Sequence, residues 1–212
     1  LPADAEAMRK EAEAQLLLLA LTAAIERRDC KRAAELARKL DTTPLAMKAA
    51  SLVKNTFQEY LATADKALSA NDIPTAERFA TLAENLMPNA PELANLRKRI
   101  EYAKHYQAFR DAVGKMDFSK IARLAQSLKD SSYYQQVKTT ITHLVDQLTA
   151  FAREAEAKHN WQAARDYAQK ALLLTPNNKK LQSYLSLINS KEAFERFSSC
   201  IKKKDYTTAR QA

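Results

Sequence analysis

A short pattern recurs five times along the 212-residue chain, at successive intervals of 43, 45, 43 and 45 residues. Each copy is anchored on a polar residue whose short side chain can cap the start of a helix. An apolar or aromatic residue comes directly after each anchor. Because a period of about 20–50 residues is typical of stacked supersecondary units, this repeat constrains the fold more than any other feature. The anchors are Asp29, Asp72, Asp117, Asn160 and Asp205.

Small side chains recur at three positions of each copy, five residues before the anchor and four and eight residues after it. Alanine fills 12 of the 14 such positions that the chain reaches, whereas 39 alanines among 212 residues would fill about 2.6 by chance. Because the distance between helix axes depends on the side chains at the contact, alanine lets two helices approach closely. The pattern therefore predicts packed helix pairs, with Ala67, Ala112 and Ala155 buried between them.

The polar anchors separate stretches in which apolar residues recur at helical spacing, so a helix is predicted on each side of every anchor. A single glycine and six prolines leave few residues suited to β-turns. Alanine, leucine, lysine and glutamate are strong helix formers, so the predicted fold class is all-α. The predicted helix pairs are 3–28 with 31–40, 45–70 with 74–87, 91–115 with 119–129, 133–159 with 162–174, and 179–204 with an incomplete partner.

The fourth copy, NWQAARDYAQKALLLTPNN from residue 160, combines a polar anchor, an aromatic residue, regularly spaced alanines and a closing proline. The second copy, around Asp72, is nearly as regular, while the other three are degenerate. This pattern resembles the tetratricopeptide repeat (TPR). The resemblance implies a right-handed α-solenoid of antiparallel helix hairpins, with about four and a half repeats in a single domain over residues 1–212.

Two features depart from the TPR pattern. The glycine that precedes the family's turn is absent, and the period averages 44 residues, against about 34 in the family. HEAT-type repeats have the right length without this residue pattern, and they are the alternative fold. Because the fifth copy stops soon after Asp205, the natural protein is expected to continue beyond this chain.

The alternation of the intervals indicates a larger repeating unit of 88 residues. Pro88 and Pro176 close the second and fourth copies, whereas the first and third end in LDTTP at 40–44 and LKDSS at 128–132. Duplication of a pair of helix hairpins would produce this alternation.

The sequence offers no pattern of catalytic or metal-binding residues. Cys30 and Cys200 occupy apolar and small-residue positions of the repeat, and no paired-cysteine motif is present. His105, His143 and His159 are not spaced as metal ligands. One glycine cannot form a phosphate-binding loop. We therefore expect no enzyme activity and no metal or cofactor.

The formal net charge is +9, and the densest basic clusters are at 97–99 and 202–204. Such a charge favours an acidic protein surface, a nucleic-acid backbone or an anionic membrane. Nucleic acid and membrane are the less favoured partners, because no aromatic residues for base stacking accompany the cations and because lysines suit a helix C-terminus. The longest apolar run, LLLLAL at 16–21, is too short to span a membrane, so a soluble and cytoplasmic protein is expected.

The TPR resemblance also implies where a partner would bind. In that family the first helix of each pair lines a concave groove, at positions about 14, 11, 10 and 7 residues before the anchor. Tyr and Arg are favoured interface residues, so Tyr106, Arg110 and Arg153 are expected to be the main contacts. The alternative for Leu18 and Leu19 is packing on the next helix pair. The implied groove residues are Leu18, Leu19, Thr22, Leu61, Asp65, Tyr106, Gln107, Arg110, Thr149, Arg153, Lys191 and Glu195.

The sequence therefore predicts a non-catalytic scaffold that binds a segment of a partner protein in its groove. Chaperone-tail binding, known in the family, is not expected, because the cationic and amide residues it needs are replaced by Leu18, Thr22, Ala62, Ala103 and Gln107. Two alternatives stay open. One is a basic solenoid that contacts nucleic acid or an anionic membrane, and the other is a structural or self-associating segment of a larger protein.

Overall fold

The computed structural model describes residues 3–202, and side-chain surroundings from residue 5 onward. Within that range the chain forms nine helices and no strand, which confirms the all-α prediction. The fifth anchor, Asp205, lies outside the described residues. The helices are α1 (Ala3–Glu26), α2 (Cys30–Leu40), α3 (Ala46–Ser69), α4 (Ile73–Leu86), α5 (Pro91–Gly114), α6 (Phe118–Ser127), α7 (Tyr134–Ala157), α8 (Trp161–Leu174) and α9 (Lys179–Lys202).

Long and short helices alternate along the chain. The five odd-numbered helices each contain 24 residues, whereas the even-numbered helices contain 10 to 14. A helix of 24 residues is about 36 Å long. The added length of the repeat therefore lies in the first helix of each pair. The helix ends that lie inside the described range, apart from its two limits at residues 3 and 202, fall within two residues of the bounds predicted from the sequence.

The turn inside each helix pair joins a C-cap directly to an N-cap. At the first turn Arg28 has φ 58°, its N–H donates to the Ile25 carbonyl at 2.9 Å, and the Asp29 N–H donates to the Ala24 carbonyl at 2.9 Å. This is the Schellman motif. The Asp29 carboxylate then accepts the Arg32 N–H at 3.2 Å and caps α2. The same bonds recur at Asp72, Asp117 and Asn160, so the predicted caps are confirmed.

Contacts within the chain cluster into two compact units, residues 1–104 and residues 105–212. In the first unit α1 packs on α2, α3 packs on α4, and α2 contacts both α3 and α4. Ala33, Ala76 and Ala67 are buried there, and Phe57 is the largest fully buried side chain. The alanine positions of the repeat therefore lie at helix contacts in this unit, as predicted.

In the second unit the short helix α8 contacts α6, α7 and α9. Ala164 and Ala168 of α8 form a buried cluster with Ala155 of α7 and Ile188 of α9. Trp161, at the start of α8, packs against this cluster and remains partly exposed. The small alanine side chains allow the three helices to approach closely, and the larger indole ring packs against the cluster that they form.

The turns that follow the first and third short helices have the same hydrogen bonds, 88 residues apart. The Thr43 hydroxyl donates to the Leu40 carbonyl at 2.7 Å, and the N–H two residues later donates to that hydroxyl at 3.3 Å. The Ser131 hydroxyl donates to the Leu128 carbonyl at 2.7 Å and accepts an N–H at 3.2 Å. This equivalence supports the larger repeating unit inferred from the sequence.

Candidate functional site

Each unit has a groove between two successive long helices, and both grooves contain residues predicted from the sequence. In the first unit Leu61 and Asp65 of α3 line the groove between α3 and α5. In the second unit Arg153 of α7 and Lys191 and Glu195 of α9 line the groove between α7 and α9. We name these the α3–α5 groove and the α7–α9 groove. Five of the twelve predicted residues therefore line a groove.

The α7–α9 groove lies where α7 ends and α8 begins, beside the C-terminal half of α9. Its volume of about 780 Å³ is within the range of about 300–1,000 Å³ that is usual for ligand pockets. Its lining mixes three cations and two carboxylates with an aromatic residue from each of two helices. The lining residues are Arg153, Glu156, Ala157, His159, Trp161, Ser190, Lys191, Phe194, Glu195, Ser198 and Lys202.

The Glu156 carboxylate is held by two donors from α9. The Lys191 ammonium and the Tyr184 hydroxyl both donate to it, the hydroxyl at 2.7 Å. These two bonds, first that of Lys191 and then that of Tyr184, lower the pKa of the Glu156 carboxyl. Burial, followed by the bond to the ionised Glu156, raises the pKa of Tyr184 to about 12. Glu156 is therefore an ionised carboxylate that fastens α9 to α7.

The Glu195 carboxylate of α9 is held at the turn between α7 and α8. The indole N–H of Trp161 donates to it, and Nδ1 of His159 lies 3.3 Å from the same oxygen. The His159 ring meets the edge of the Trp161 ring, with centroids 5.6 Å apart and an interplanar angle of 87°. The left-handed backbone at His159 belongs to the capping motif, so the turn itself places these two rings beside α9.

A third set of contacts fixes α9 to α8. The Arg165 guanidinium forms an ion pair with Glu192, and its Nε donates to the Asn189 side chain at 3.1 Å. Arg196 reaches the same Glu192 carboxylate at 2.6 Å. Because charged side chains hold α9 to α7, to α8 and to the turn between them, the walls of the α7–α9 groove are formed before any ligand arrives.

Two cations and one aromatic side chain of this groove remain available. Arg153 forms no hydrogen bond or ion pair within the described chain, although its charge helps to lower the pKa of Glu156. Lys202 likewise pairs with no described residue. The Phe194 side chain is 71% exposed. Three cations and two carboxylates give the lining a formal net charge of +1.

In the α3–α5 groove of the first unit, an arginine and a carboxylate of the lining pair with each other. The Arg99 guanidinium donates to the Asp65 carboxylate at 2.7 Å, and both residues line the groove. The residues 88 positions later are Leu187 and Arg153, so the second unit lacks this pair. Arg153 stands at the position of the Asp65 carboxylate and leucine stands at that of its partner Arg99, so Arg153 pairs with no described side chain.

Seven predicted residues line neither groove. Tyr106, expected to be a main contact, is half-buried and stacks on Tyr133 with ring centroids 4.4 Å apart, so that its face is occupied within the second unit. The hydroxyls of Thr22 and Thr149 donate to carbonyls one turn earlier in their own helices, at 3.0 and 2.7 Å. The other four are the half-buried Leu18 and the exposed Leu19, Gln107 and Arg110.

Several lining residues were not predicted. Glu156 was not predicted: it pairs with the predicted Lys191, which lies 35 residues away in sequence, so no local pattern relates the two. Trp161 had been assigned only as the apolar plug after its anchor. Because the plug position begins each short helix, it also lies at the end of the preceding long helix. The proximity of these two helix ends was the sequence feature that could have indicated His159 and Trp161 as groove residues.

The densest basic cluster of the sequence is largely neutralised by neighbouring side chains. Arg97 forms an ion pair with Glu84 and donates to the Thr81 hydroxyl at 3.2 Å. Arg99 pairs with Asp65, as described above. Among residues 97–99 only the Lys98 ammonium forms no ion pair with a described carboxylate, and it lies over the Tyr102 ring. This cluster therefore provides little free charge for a phosphate backbone.

The described residues contain no group of three or more His, Cys, Asp or Glu side chains arranged to hold a metal ion. Over the same range, none of the helices combines the length and apolarity required of a membrane span. Cys30 is a free, buried thiol whose pKa is raised by burial, and Cys200 is also free. No protein-family model, curated protein or solved structure matches the chain.

Proposed function

We propose that the chain is a TPR-like helical repeat that binds a segment of a partner protein in the α7–α9 groove. This proposal is based on which charged side chains of the groove are already paired within the protein. Both carboxylates are held by residues of the protein itself, whereas Arg153 pairs with no residue that the structure describes and Phe194, in the same lining, is exposed. Arginine and aromatic side chains are enriched at protein interfaces, so Arg153 and Phe194 are the side chains that a partner would contact.

The chemistry of the groove indicates the contacts that a bound segment would make. Burial of the Phe194 ring by an apolar side chain would stabilise the complex by about 1.5–3 kcal/mol. A carboxylate of the segment can accept two parallel hydrogen bonds from the Arg153 guanidinium, which is the strongest geometry for such a pair. The preferred segment therefore has an acidic residue close to an apolar residue.

Selection of peptides against the full chain tests this proposal. A displayed library of random peptides should yield binders enriched in acidic and apolar residues. Arg153→Glu should weaken the binding of a selected peptide at least about tenfold, because the reversed charge repels the peptide carboxylate. Phe194→Ala should weaken it by a similar factor through the lost apolar contact. Fluorescence anisotropy with labelled peptide measures both effects.

The chain provides matched controls for both substitutions. Lys138 is an exposed cation near the start of α7, and Leu173 is an exposed apolar residue of α8. Lys138→Glu and Leu173→Ala should leave the affinity within about twofold of the parent, because neither residue lines the groove. Selected peptides that bind the Arg153 and Phe194 variants as tightly as the parent would place the binding site elsewhere.

A further inference from the structure

Exposed apolar side chains form a stripe along α9. Leu187, Phe194 and Ile201 follow one another at intervals of seven residues, and their side chains are 48, 71 and 45% exposed. Phe197, which lies between the last two, is 42% exposed. A seven-residue spacing keeps side chains on one face of a helix. We name these four residues the α9 stripe. It is about 21 Å long and meets the α7–α9 groove at Phe194.

The related aromatic positions of α5 are covered within the second unit. Tyr106 and Phe109 lie 88 residues before Phe194 and Phe197. Within the second unit Phe109 is buried, and Tyr106 stacks on Tyr133, the residue that precedes the first turn of α7. A residue at the start of a helix therefore packs on this face of α5, and the related face of α9 offers the same kind of apolar surface to a helix.

The charges around the α9 stripe indicate which kind of helix would bind to it. Arg153 lies across the groove from Phe194, and Lys202 follows Ile201 in the last turn of α9. Neither cation is paired within the described chain, whereas the neighbouring Glu195 is already bound by Trp161. An incoming helix therefore meets unpaired positive charge on the borders of an apolar surface, and acidic residues beside its own apolar stripe would complement that pattern.

Resting on the proposed function, we infer that the segment bound at the α7–α9 groove is an acidic amphipathic helix. Its apolar side chains pack along the α9 stripe, from Leu187 to Ile201. Its carboxylates pair with Arg153 and Lys202. The inference extends the binding surface beyond the groove, because Leu187, Phe197 and Ile201 do not line the groove itself.

Three labelled synthetic peptides of about 18 residues test the inference. The first carries leucine at seven-residue spacing with glutamates on both borders. The second has the same composition in an order that destroys the stripe, and the third has lysine in place of glutamate. The first should bind the full chain at least about tenfold more tightly than the other two, and added salt should weaken it. Anisotropy gives the affinities, and circular dichroism of the mixture should show added helix.

Substitutions outside the groove separate this inference from the proposed function. Leu187→Ser and Ile201→Ser should each weaken the first peptide about tenfold, while Leu173→Ser on α8 should not. If selected peptides need Arg153 but tolerate Leu187→Ser or bind without forming helix, the inference is wrong and the proposed function stands. If no peptide depends on Arg153, both are wrong. If sedimentation shows self-association that Leu187→Ser abolishes, a second copy covers the stripe and the inference is likewise wrong.

Discussion

Every described turn inside a helix pair places a side chain other than glycine in the left-handed backbone region. Arg28, Asn71, Met116 and His159 have φ between 54° and 58°. This conformation costs a residue with a Cβ atom about 1–2 kcal/mol, and asparagine is the one among the four that commonly tolerates it. The two hydrogen bonds of the Schellman motif offset this cost in each turn.

The position of the chain's only glycine leads to a prediction at this scale. Met116→Gly should raise the free energy of unfolding by about 1 kcal/mol, because glycine adopts the left-handed conformation without strain. Gly114→Ala should also stabilise, by about 0.5–1 kcal/mol, since its φ is not positive and no heavy atom lies within 4 Å of an added Cβ. Urea denaturation followed by circular dichroism measures both changes.

Lys115, between these two residues, is the matched control. Its φ is not positive, so Lys115→Gly should gain nothing from the left-handed region and should lower stability through added backbone freedom in the unfolded state. A Met116→Gly variant no more stable than the parent would show that the turn carries no strain at this position.

At the scale of elements, α9 owes its position to polar contacts as well as apolar packing. Tyr184, Lys191 and Glu195 each contact a side chain of α7, of the turn that follows it or of the start of α8. Among these contacts, the part-buried hydrogen bond between Tyr184 and Glu156 has a defined response to pH, because the pKa of Tyr184 is raised to about 12.

The pKa of Tyr184 predicts a loss of stability in alkali. An unfolded tyrosine ionises near its model value of 10.0, whereas folded Tyr184 keeps its proton to about pH 12. Between these values the folded state binds more protons, so the free energy of unfolding falls as pH rises, by at most about 1.4 kcal/mol per pH unit. Tyr184→Phe should lose about 1.5 kcal/mol at pH 7 with its hydrogen bond, and should then decline less steeply between pH 10 and 12. Urea titrations at a series of pH values measure the slope.

Tyr60 in the first unit provides the internal comparison. Burial, and next the neighbouring Cys30, raise its pKa to about 12 as well. Tyr60→Phe should reduce the fall in the free energy of unfolding between pH 10 and 12 by a similar amount. The double variant should show the sum of the two reductions, because the two tyrosines share no partner. An unchanged slope in Tyr184→Phe would mean that this tyrosine ionises alike in both states.

The sequence predicted elements better than it predicted the groove, and the reason is the range of the forces involved. Anchors such as Asp117 act on an N–H three residues away, so caps and helix ends follow from local sequence. Arg153, Lys191 and Glu195 were placed at the groove through their spacing from an anchor. Tyr106 is stacked on Tyr133, which belongs to a different helix pair. Spacing alone does not show which side chains pair across helices.

At the scale of the whole molecule, the helix pairs alternate in how tightly they pack. The second helix of the second and fourth pairs contains 14 residues, against 11 and 10 in the first and third. At the position eight residues after the anchor, Ala80 and Ala168 are fully buried, whereas Ala37 and Ala125 are half-buried. The position eight residues after the anchor is therefore fully buried in the second and fourth copies and half-buried in the first and third, an alternation that repeats every 88 residues.

This alternation predicts unequal effects of the same substitution along the chain. Ala80→Leu and Ala168→Leu should each destabilise by about 1–3 kcal/mol, because three added carbon atoms overpack a site that has no solvent exposure. Ala37→Leu and Ala125→Leu should cost less than about 1 kcal/mol, since the larger side chain can extend into solvent. Urea denaturation of the four variants gives the comparison, with Ala→Ser at the same positions as a control for small changes in volume. Four equal losses would show that every helix pair packs alike and that the 88-residue unit has no energetic meaning.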